Sequence, residues 1–539
     1  MAKKSKRHIA TIDAETDPFL YGREPSPFCW GFFDGDSYVD FWGGDCTNQL
    51  IDYLRDLDGL IIYAHNGGKF DFFFLLPWFD ADIMLINGRI AKATMFNGAI
   101  EFRDSMLILP MGLSAFQKDE IDYSWFEKEK REKYKREILK YLRADCVYLH
   151  QWVEKFIEQF GNGLTLAGAA FKQLKKTGYE VNRSYNDYDE RFRKFYYGGR
   201  VQCFQVGAFQ GNYKYYDINS AYPETMLSKH WHGTQYIEHL RLPDPEKYGG
   251  SWFAEVDAIS YGALPFRGDD GRLHFYNDET VRRYFVTGHE INAGIDTNTL
   301  IIKNVVKSYR PLFTEDFSEY VEKFYAMKNE AGALLDKNPD DQNARASYIF
   351  AKLLLNSAYG KFGQDGRKFE KFIICEFGEW PEGEGWLPYA DTETGQRIFV
   401  RPDPQDSFFN VATAASITGA VRAKLWRTIC ASTNPIYCDT DSLICEDANV
   451  ELGRELGQWK LEAEPVEVYI AQRKMYAMKD AKGEVKTASK GVRLSFEQIR
   501  DGVLSGKNIT FYRDAPAYSI KYGPRFFSRE VNFKDIKKV

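Results

Sequence analysis

The chain has 539 residues, 44% of them hydrophobic and 16% aromatic, with a net charge of -6. That length is enough for several domains with real cores, while the acidic balance is the opposite of the usual footprint of a nucleic-acid binder. Eight cysteines show neither a CxxC pair nor a metal-ligand spacing, and no apolar segment follows the basic start 1–7, which argues against disulfides, zinc and a signal peptide and for reduced thiols in a cytoplasm. No apolar run reaches membrane-spanning length.

In chain order, His8-Ile9-Ala10-Thr11-Ile12-Asp13-Ala14-Glu15-Thr16 alternates as a strand, so Asp13 and Glu15 project from one face. Two like charges side by side destabilise a strand unless something binds them, and plain exposed strand charges are the alternative. Tyr63-Ala64-His65-Asn66-Gly67-Gly68-Lys69-Phe70-Asp71 adds an acid behind a Gly-Gly turn. Tyr141-Leu142-Arg143-Ala144-Asp145 is predicted helical, with the tyrosine one turn before the acid on the same face. Taken singly, each segment also fits a solvated surface. The charged run 127–137 reads as a solvated helix face, and Gly161-Asn162-Gly163 ends the helix.

The aromatic run 213–216 predicts a buried strand ending in Asp217-Ile218-Asn219-Ser220-Ala221-Tyr222-Pro223. Asp217 is then either a cap or one member of a site shared across a sheet. Residues 231–313 are rich in Gly, Pro and aromatics, with strand-like runs at 251–256 and 299–306. Residues 314–362 predict two helices around a polar turn at 337–343. On the second, Tyr348, Lys352, Asn356 and Tyr359 recur at helical spacing and share a face. A lysine there either snorkels to water or, with the amide and tyrosine, suits a triphosphate, a sugar and a base. Within 363–405, strand-like arms at 369–377 and 397–401 flank Trp380-Pro381-Glu382-Gly383-Glu384-Gly385, which predicts a β-hairpin, with a surface loop as the alternative.

Tyr437-Cys438-Asp439-Thr440-Asp441-Ser442 sets two carboxylates two residues apart between apolar flanks, as a tight connection between short strands. Like charges this close need a partner cation to stay ionised. Mg²⁺ binds through one or two carboxylates plus substrate phosphates. If Asp217 meets Asp439 and Asp441 across a sheet, the set suits two-metal phosphoryl transfer.

The segments at 217–223, 348–360 and 437–442 resemble motifs A, B and C of family B DNA polymerases. Lys-Leu-Leu-Leu-Asn-Ser-Ala-Tyr-Gly (352–360) and Tyr-Cys-Asp-Thr-Asp-Ser resemble the protein-primed subfamily of phages with linear, terminal-protein-capped genomes, tectivirus-like. Tyr196-Tyr197-Gly198-Gly199 is similar to its Tyr-x-Gly-Gly element, Lys474-Met475-Tyr476 to its Lys-x-Tyr element, and Thr418-Gly419-Ala420-Val421-Arg422, more loosely, to a DNA-contacting motif. The N-terminal acids resemble the Exo I, II and III motifs of 3′→5′ proofreading exonucleases.

The resemblance implies an α/β and α+β multidomain chain. A ribonuclease-H-like exonuclease domain (1–165) would precede a right-hand polymerase with palm (166–230 and 406–490), fingers (314–362) and thumb (491–539). Two palm insertions are expected, 231–313 contacting a terminal protein and 363–405 displacing a strand. It implies two Mg²⁺ per active site, with Mn²⁺ as a substitute. In the polymerase these would be held by Asp217, Asp441, the auxiliary Asp439 and the Ile218 carbonyl, and in the nuclease by Asp13, Glu15, Asp71 and Asp145. Tyr141 would orient water and Lys118 would join the nuclease site. Lys352 and Lys328 would neutralise the triphosphate, Tyr222 would exclude a 2′-hydroxyl, and Asn356, Tyr359 and Gly360 would line the nascent pair. Tyr196, Gly198, Gly199, Arg422, Lys474 and Tyr476 would hold primer and template; Thr16, Asn66, Phe70 and Ser105 would hold single-stranded DNA.

The expected partners are primer-template and single-stranded DNA, dNTPs and a terminal protein as primer, with no membrane, for a monomer in a host cytoplasm. The net charge fits once at least seven acids are committed to metals. A DNA-primed family B enzyme would lack both insertions. An RNA-templated one would read Tyr-x-Asp-Asp, and an inactive scaffold would have lost acids that are all present.

Overall fold

The strand His8–Thr16 forms the spine of the N-terminal part because it is buried on both faces: Ala10, Ile12 and Ala14 on one, Thr11 and Glu15 on the other. It pairs antiparallel with Pro27–Phe33 and parallel with Leu60–Ala64, which in turn runs parallel to Ile100–Asp104. The long helix Lys135–Phe160 lies across this sheet, tied to it where the Thr11 hydroxyl donates to the Cys146 carbonyl at 2.9 Å. It ends at Gly161, whose φ of 85° favours glycine. This computed structural model describes residues 7–115, 119–181, 183–392, 395–404 and 408–533. Among them no helix is long and apolar enough to cross a membrane.

Within 363–405, Glu370–Cys375 pairs antiparallel with Arg397–Pro402, with Leu387–Asp391 as an outer third strand. The hairpin does not stand alone. Phe372 and Ile373 pair with Ile83 and Asp82, so the three strands extend the N-terminal sheet to ten. Phe372, Ile374 and Ile398 bury themselves in that domain's core. Alternation along the hairpin cannot reveal a partner edge so distant in sequence.

A second, five-stranded sheet carries motifs A and C, in the order Trp459–Ala463, Lys214–Ile218, Ser442–Cys445, Tyr437–Asp439, Val201–Cys203. Behind it runs the almost wholly buried helix Val411–Cys430. Between motifs A and B, a four-stranded sheet of His230–His239, Leu300–Glu315, Phe253–Ser260 and Arg282–Thr287 packs with the helix Gly288–Asp296, which connects the strand Arg282–Thr287 to Leu300–Glu315. Its first and last strands in chain order begin at 230 and end at 315, just beyond the expected 231–313. The helices Ser318–Lys337 and Gln342–Leu355 pack together, and Phe350 of the second meets Trp152, Phe156 and Phe160 of the N-terminal domain edge-on at 5.4–5.8 Å.

The boundary expected at 490 is corrected by the packing. The sheet of Gly207–Gln210, Pro465–Gln472, Met475–Asp480 and Val485–Ser489 shares one core with the helix Phe496–Ser505, through Tyr469, Met475, Phe496 and Ile499. A cut at 490 would split that core. Beyond it, the turn between Ala517–Ser519 and Gly523–Arg525 reaches back to the N-terminal domain, where Tyr518 contacts Phe70, Phe73 and Phe74.

Candidate active sites

Register decides the first site. Asp217 pairs with Ser442, and Asp439 pairs with the same serine from the other side, so the motif A strand lies beside the motif C hairpin. Thr440, at φ 64°, makes the tight turn and sets Asp441 next to Asp217, with the Ile218 amide donating to the Asp441 carbonyl at 2.9 Å. Burial first, then Glu462, raises the Asp217 carboxyl to about 6. Burial, then Asp217 and Asp439, raises Asp441 to about 7. Asp439 differs: the Lys474 ammonium donates to both its oxygens at 2.8 and 3.0 Å, and the Tyr437 hydroxyl adds a bond at 3.2 Å.

Two half-buried carboxylates that resist ionising together are a donor set that a divalent cation would complete. Among the described residues no cluster of three or more His, Cys, Asp or Glu forms a ready-made cage. Mg²⁺ takes few protein ligands and shares the rest with phosphates and water, so a pair of carboxylates is a sufficient protein donor set for it. Cations line the approach. Lys328 is half-buried and its ammonium is pushed down by burial and by the neighbouring Lys352, a pair suited to a polyanion. Lys352 also lies within electrostatic reach of Asp217. The Tyr222 and Tyr359 rings stack at 4.2 Å and 6°.

Several expectations need correcting. The second fingers helix stops at Leu355, so Tyr359 and Gly360 sit on a separate short turn rather than on one helical stripe. Asn356 caps that helix end by donating its amide to the Lys352 carbonyl at 2.8 Å. Arg422 is not on a DNA-facing surface; it is 2% exposed and bonded within the protein. Tyr476 is likewise buried, its ring 5.0 Å from Tyr437. Of the Tyr-x-Gly-Gly element, Gly198 is exposed and Tyr196 half-buried. A Cβ on Gly199 would come within 2.7 Å of Thr440, so glycine there lets the loop touch the carboxylate turn.

A second cleft of about 700 Å³ lies in the N-terminal domain and collects Asp13, Glu15, Asp71, Tyr141 and Asp145 from a strand, a short helix and the long helix. Asn66, at φ 65°, makes the turn before Asp71, while Gly67 and Gly68 are needed for close packing: a Cβ on Gly68 would sit 2.1 Å from the Ile90 carbonyl. Burial, then repulsion from Asp104, raises the Asp71 carboxyl to about 7. Burial, a hydrogen bond with Tyr123 and the charge of Asp145 keep the Tyr141 hydroxyl protonated. Asn66 and Phe70 line the cleft. Thr16 is buried, and Ser105 is completely buried, its hydroxyl bonded to the Ala64 carbonyl and His65, so a direct strand contact by Ser105 is corrected to support of His65. Lys118 lies outside the described residues. Motif reading missed Arg89, Arg513 and Tyr518 on the cleft wall, none of which stands in a patterned segment, and gave no role to Lys69, which lies within the 63–71 segment.

The fold and these two acid clefts define a right-hand polymerase joined to an exonuclease-type domain. Residues 116–383 match the family described as DNA polymerase type B, organellar and viral. The DNA-directed DNA polymerase of Enterobacteria phage PRD1 is 39% identical over 499 residues, covering 91% of this chain and 87% of that one. A probable DNA polymerase of Agaricus bitorquis is 24% identical over 588 residues, 88% of this chain and 71% of its own. Phi29 DNA polymerase complexed with primer-template DNA and incoming nucleotide superimposes with a TM-score of 0.73 at 14% identity, covering 98% of this chain and all of that one. Its complex with single-stranded DNA gives 0.72 at 15%, over 98% and 100%. The chain belongs to the type B DNA polymerases.

Proposed function

We propose that this chain copies a linear genome by protein-primed, strand-displacing DNA synthesis and edits its product with a 3′→5′ exonuclease. The reading is carried by the Asp217–Asp441 pair where the motif A strand meets the motif C turn, beside Lys328 and Lys352. Asp217 and Asp441 would be the main Mg²⁺ ligands, with Asp439 and the Ile218 carbonyl as further ones; a cation held there would activate the attacking oxygen and stabilise the leaving one. The primer hydroxyl attacks the α-phosphorus of a dNTP and pyrophosphate leaves. Lys352 and Lys328 draw charge off the triphosphate as that bond breaks. Tyr222, fixed by its stack on Tyr359, fills the space a 2′-hydroxyl would need. Lys474 is held at the carboxylates by Asp439, where a primer terminus would arrive.

In the second cleft Asp13, Glu15, Asp71 and Asp145 would hold the editing metals, and the protonated Tyr141 would donate to the attacking water. Phe70 and Asn66 offer a ring and an amide to an unpaired 3′ end. The hairpin 363–405 would narrow the downstream path to one strand. Each forward step would then offset roughly 1.4 kcal/mol of stacking. The deciding experiment incubates the protein with labelled dNTP, Mg²⁺ and a candidate terminal protein. A protein-linked nucleotide supports the reading. Synthesis from a DNA primer alone, with none from any protein hydroxyl, would reduce it to DNA-primed polymerisation.

A further inference from the structure

Arg422 and Glu290 form an ion pair that the catalytic scheme leaves without a task. Both are buried, at 2% and 1% exposure, and the Arg422 Nε donates to Glu290 Oε1 at 2.7 Å. A buried pair adds little net stability compared with apolar packing, so its geometry asks for another explanation. Glu290 belongs to the first insertion. Its other oxygen accepts from the Thr287 amide and hydroxyl, both at 2.9 Å, in the capping box of the helix Gly288–Asp296.

The far end of the guanidinium reaches the polymerase site. Arg422 donates through one terminal nitrogen to the carbonyls of Tyr197 and Gly198, each at 2.7 Å. The next residues run directly to the metal-bearing turn: Gly199 lies against Thr440, the Arg200 carbonyl accepts from the Thr440 amide at 2.6 Å, and Val201 pairs with Asp439. The insertion also grips the loop from outside, where Arg267 donates to the Tyr196 carbonyl at 3.2 Å and lies over the Tyr197 ring. Close packing fixes the joint, since a Cβ on Gly419 would come within 2.4 Å of Thr287.

We infer that Glu290 and Arg422 are positioning residues, through which the first insertion holds the Tyr197–Gly198 carbonyls and thereby the turn that carries Asp439 and Asp441. The first insertion is then part of the scaffold of the polymerase centre. Arginine is required because one planar fork serves a carboxylate and two carbonyls, which a lysine ammonium cannot do with the same geometry.

The inference rests on the polymerase reading, so the parent must first extend a preformed primer-template, and lose extension on Asp441→Ala; a parent that does not extend overturns that reading instead. Arg422→Lys and Glu290→Gln are then compared in the full chain. The glutamine keeps the capping bond but cannot serve both Thr287 and Arg422 as the carboxylate does. Expected is a fall in extension kcat of about tenfold for Arg422→Lys and several-fold for Glu290→Gln. The dNTP KM should stay within twofold, degradation of single strands should be unchanged, and the double variant should be no worse than Arg422→Lys. Extension within twofold of the parent overturns the inference, as does a parallel fall of extension, degradation and melting temperature. Should the single variants fail to fold, Arg422→Met with Glu290→Leu removes both buried charges at similar volume. That protein should fold and still extend poorly; full extension by it would be equally decisive against the inference.

Discussion

The two acid clefts reach similar electrostatics by different routes. In the polymerase site the carboxylates come from adjacent strands of one sheet, and one of them, Asp439, already has a lysine. In the nuclease site they come from a strand, a five-residue helix and a 26-residue helix, and the wall is completed by Arg513 and Tyr518 from the far end of the chain. A hairpin fixes its acids through local register. The nuclease constellation depends on packing between elements far apart in sequence, so distant changes should disturb it more.

The largest effect that would break this comparison is on the polymerase acids. Asp217→Ala or Asp441→Ala should lower primer extension about a thousandfold, roughly 4 kcal/mol of transition-state stabilisation. Single-strand degradation should stay close to the parent rate, because the nuclease acids line a different cleft. Extension within tenfold of the parent would remove these residues from the metal site.

Next comes the converse. Asp13→Ala with Glu15→Ala should remove 3′→5′ degradation, by about a hundredfold or more, while synthesis continues with more errors in a mutation-reporter assay. Degradation at the parent rate would mean that the N-terminal cleft is not a nuclease.

The hairpin sharpens the contrast, since it is a polymerase insertion built on the nuclease sheet. Replacing residues 378–396 with a short Gly-Ser linker should spare gap filling but cut strand displacement and product length per binding event about tenfold. Because Phe372 and Ile374 remain in the nuclease core, degradation should survive. Displacement as long as the parent's would leave the insertion as a loop. A smaller effect is expected at Tyr222: Tyr222→Val should weaken discrimination against ribonucleotides, by some ten- to a hundredfold for loss of one steric contact. Unchanged discrimination would move that role elsewhere.

How much of this was legible in the sequence follows from range. Asp439 and Asp441 were readable because a two-strand turn has a short-range signature, and Asp13 and Glu15 because strand alternation puts them on one face. Arg422, Ser105 and Tyr476 were misjudged as surface ligands. Their types fit a nucleic-acid contact, while their burial is set by elements far away, such as Glu290 for Arg422. The helical stripe from Tyr348 to Tyr359 failed because spacing alone does not mark where a helix ends. The pairing of the hairpin with Asp82–Ile86 had no local signal at all.

The smallest predicted effect tests the electrostatics of the polymerase pair without any substrate. Asp217 and Asp441 are raised in the folded chain to about 6 and about 7, from an ordinary 3.8. The folded state therefore holds their protons more tightly than the unfolded chain does. Such groups add stability in full below the unfolded value, and that contribution is lost as pH rises through the folded values. In a chelator, the parent should melt at a lower temperature at pH 8 than at pH 5 by more than Asp441→Asn does, because the variant removes one acid and relieves the other. The excess should be on the order of 2 °C. Mg²⁺ at pH 8 should shrink it, since the cation supplies the missing positive charge and binds only the folded arrangement. The nuclease acid Asp71, raised to about 7 by its own burial, contributes equally to parent and variant and cancels in the difference. Identical melting profiles for parent and variant across that range would show that the two carboxylates do not repel one another, and the case for a shared metal would lose its electrostatic basis.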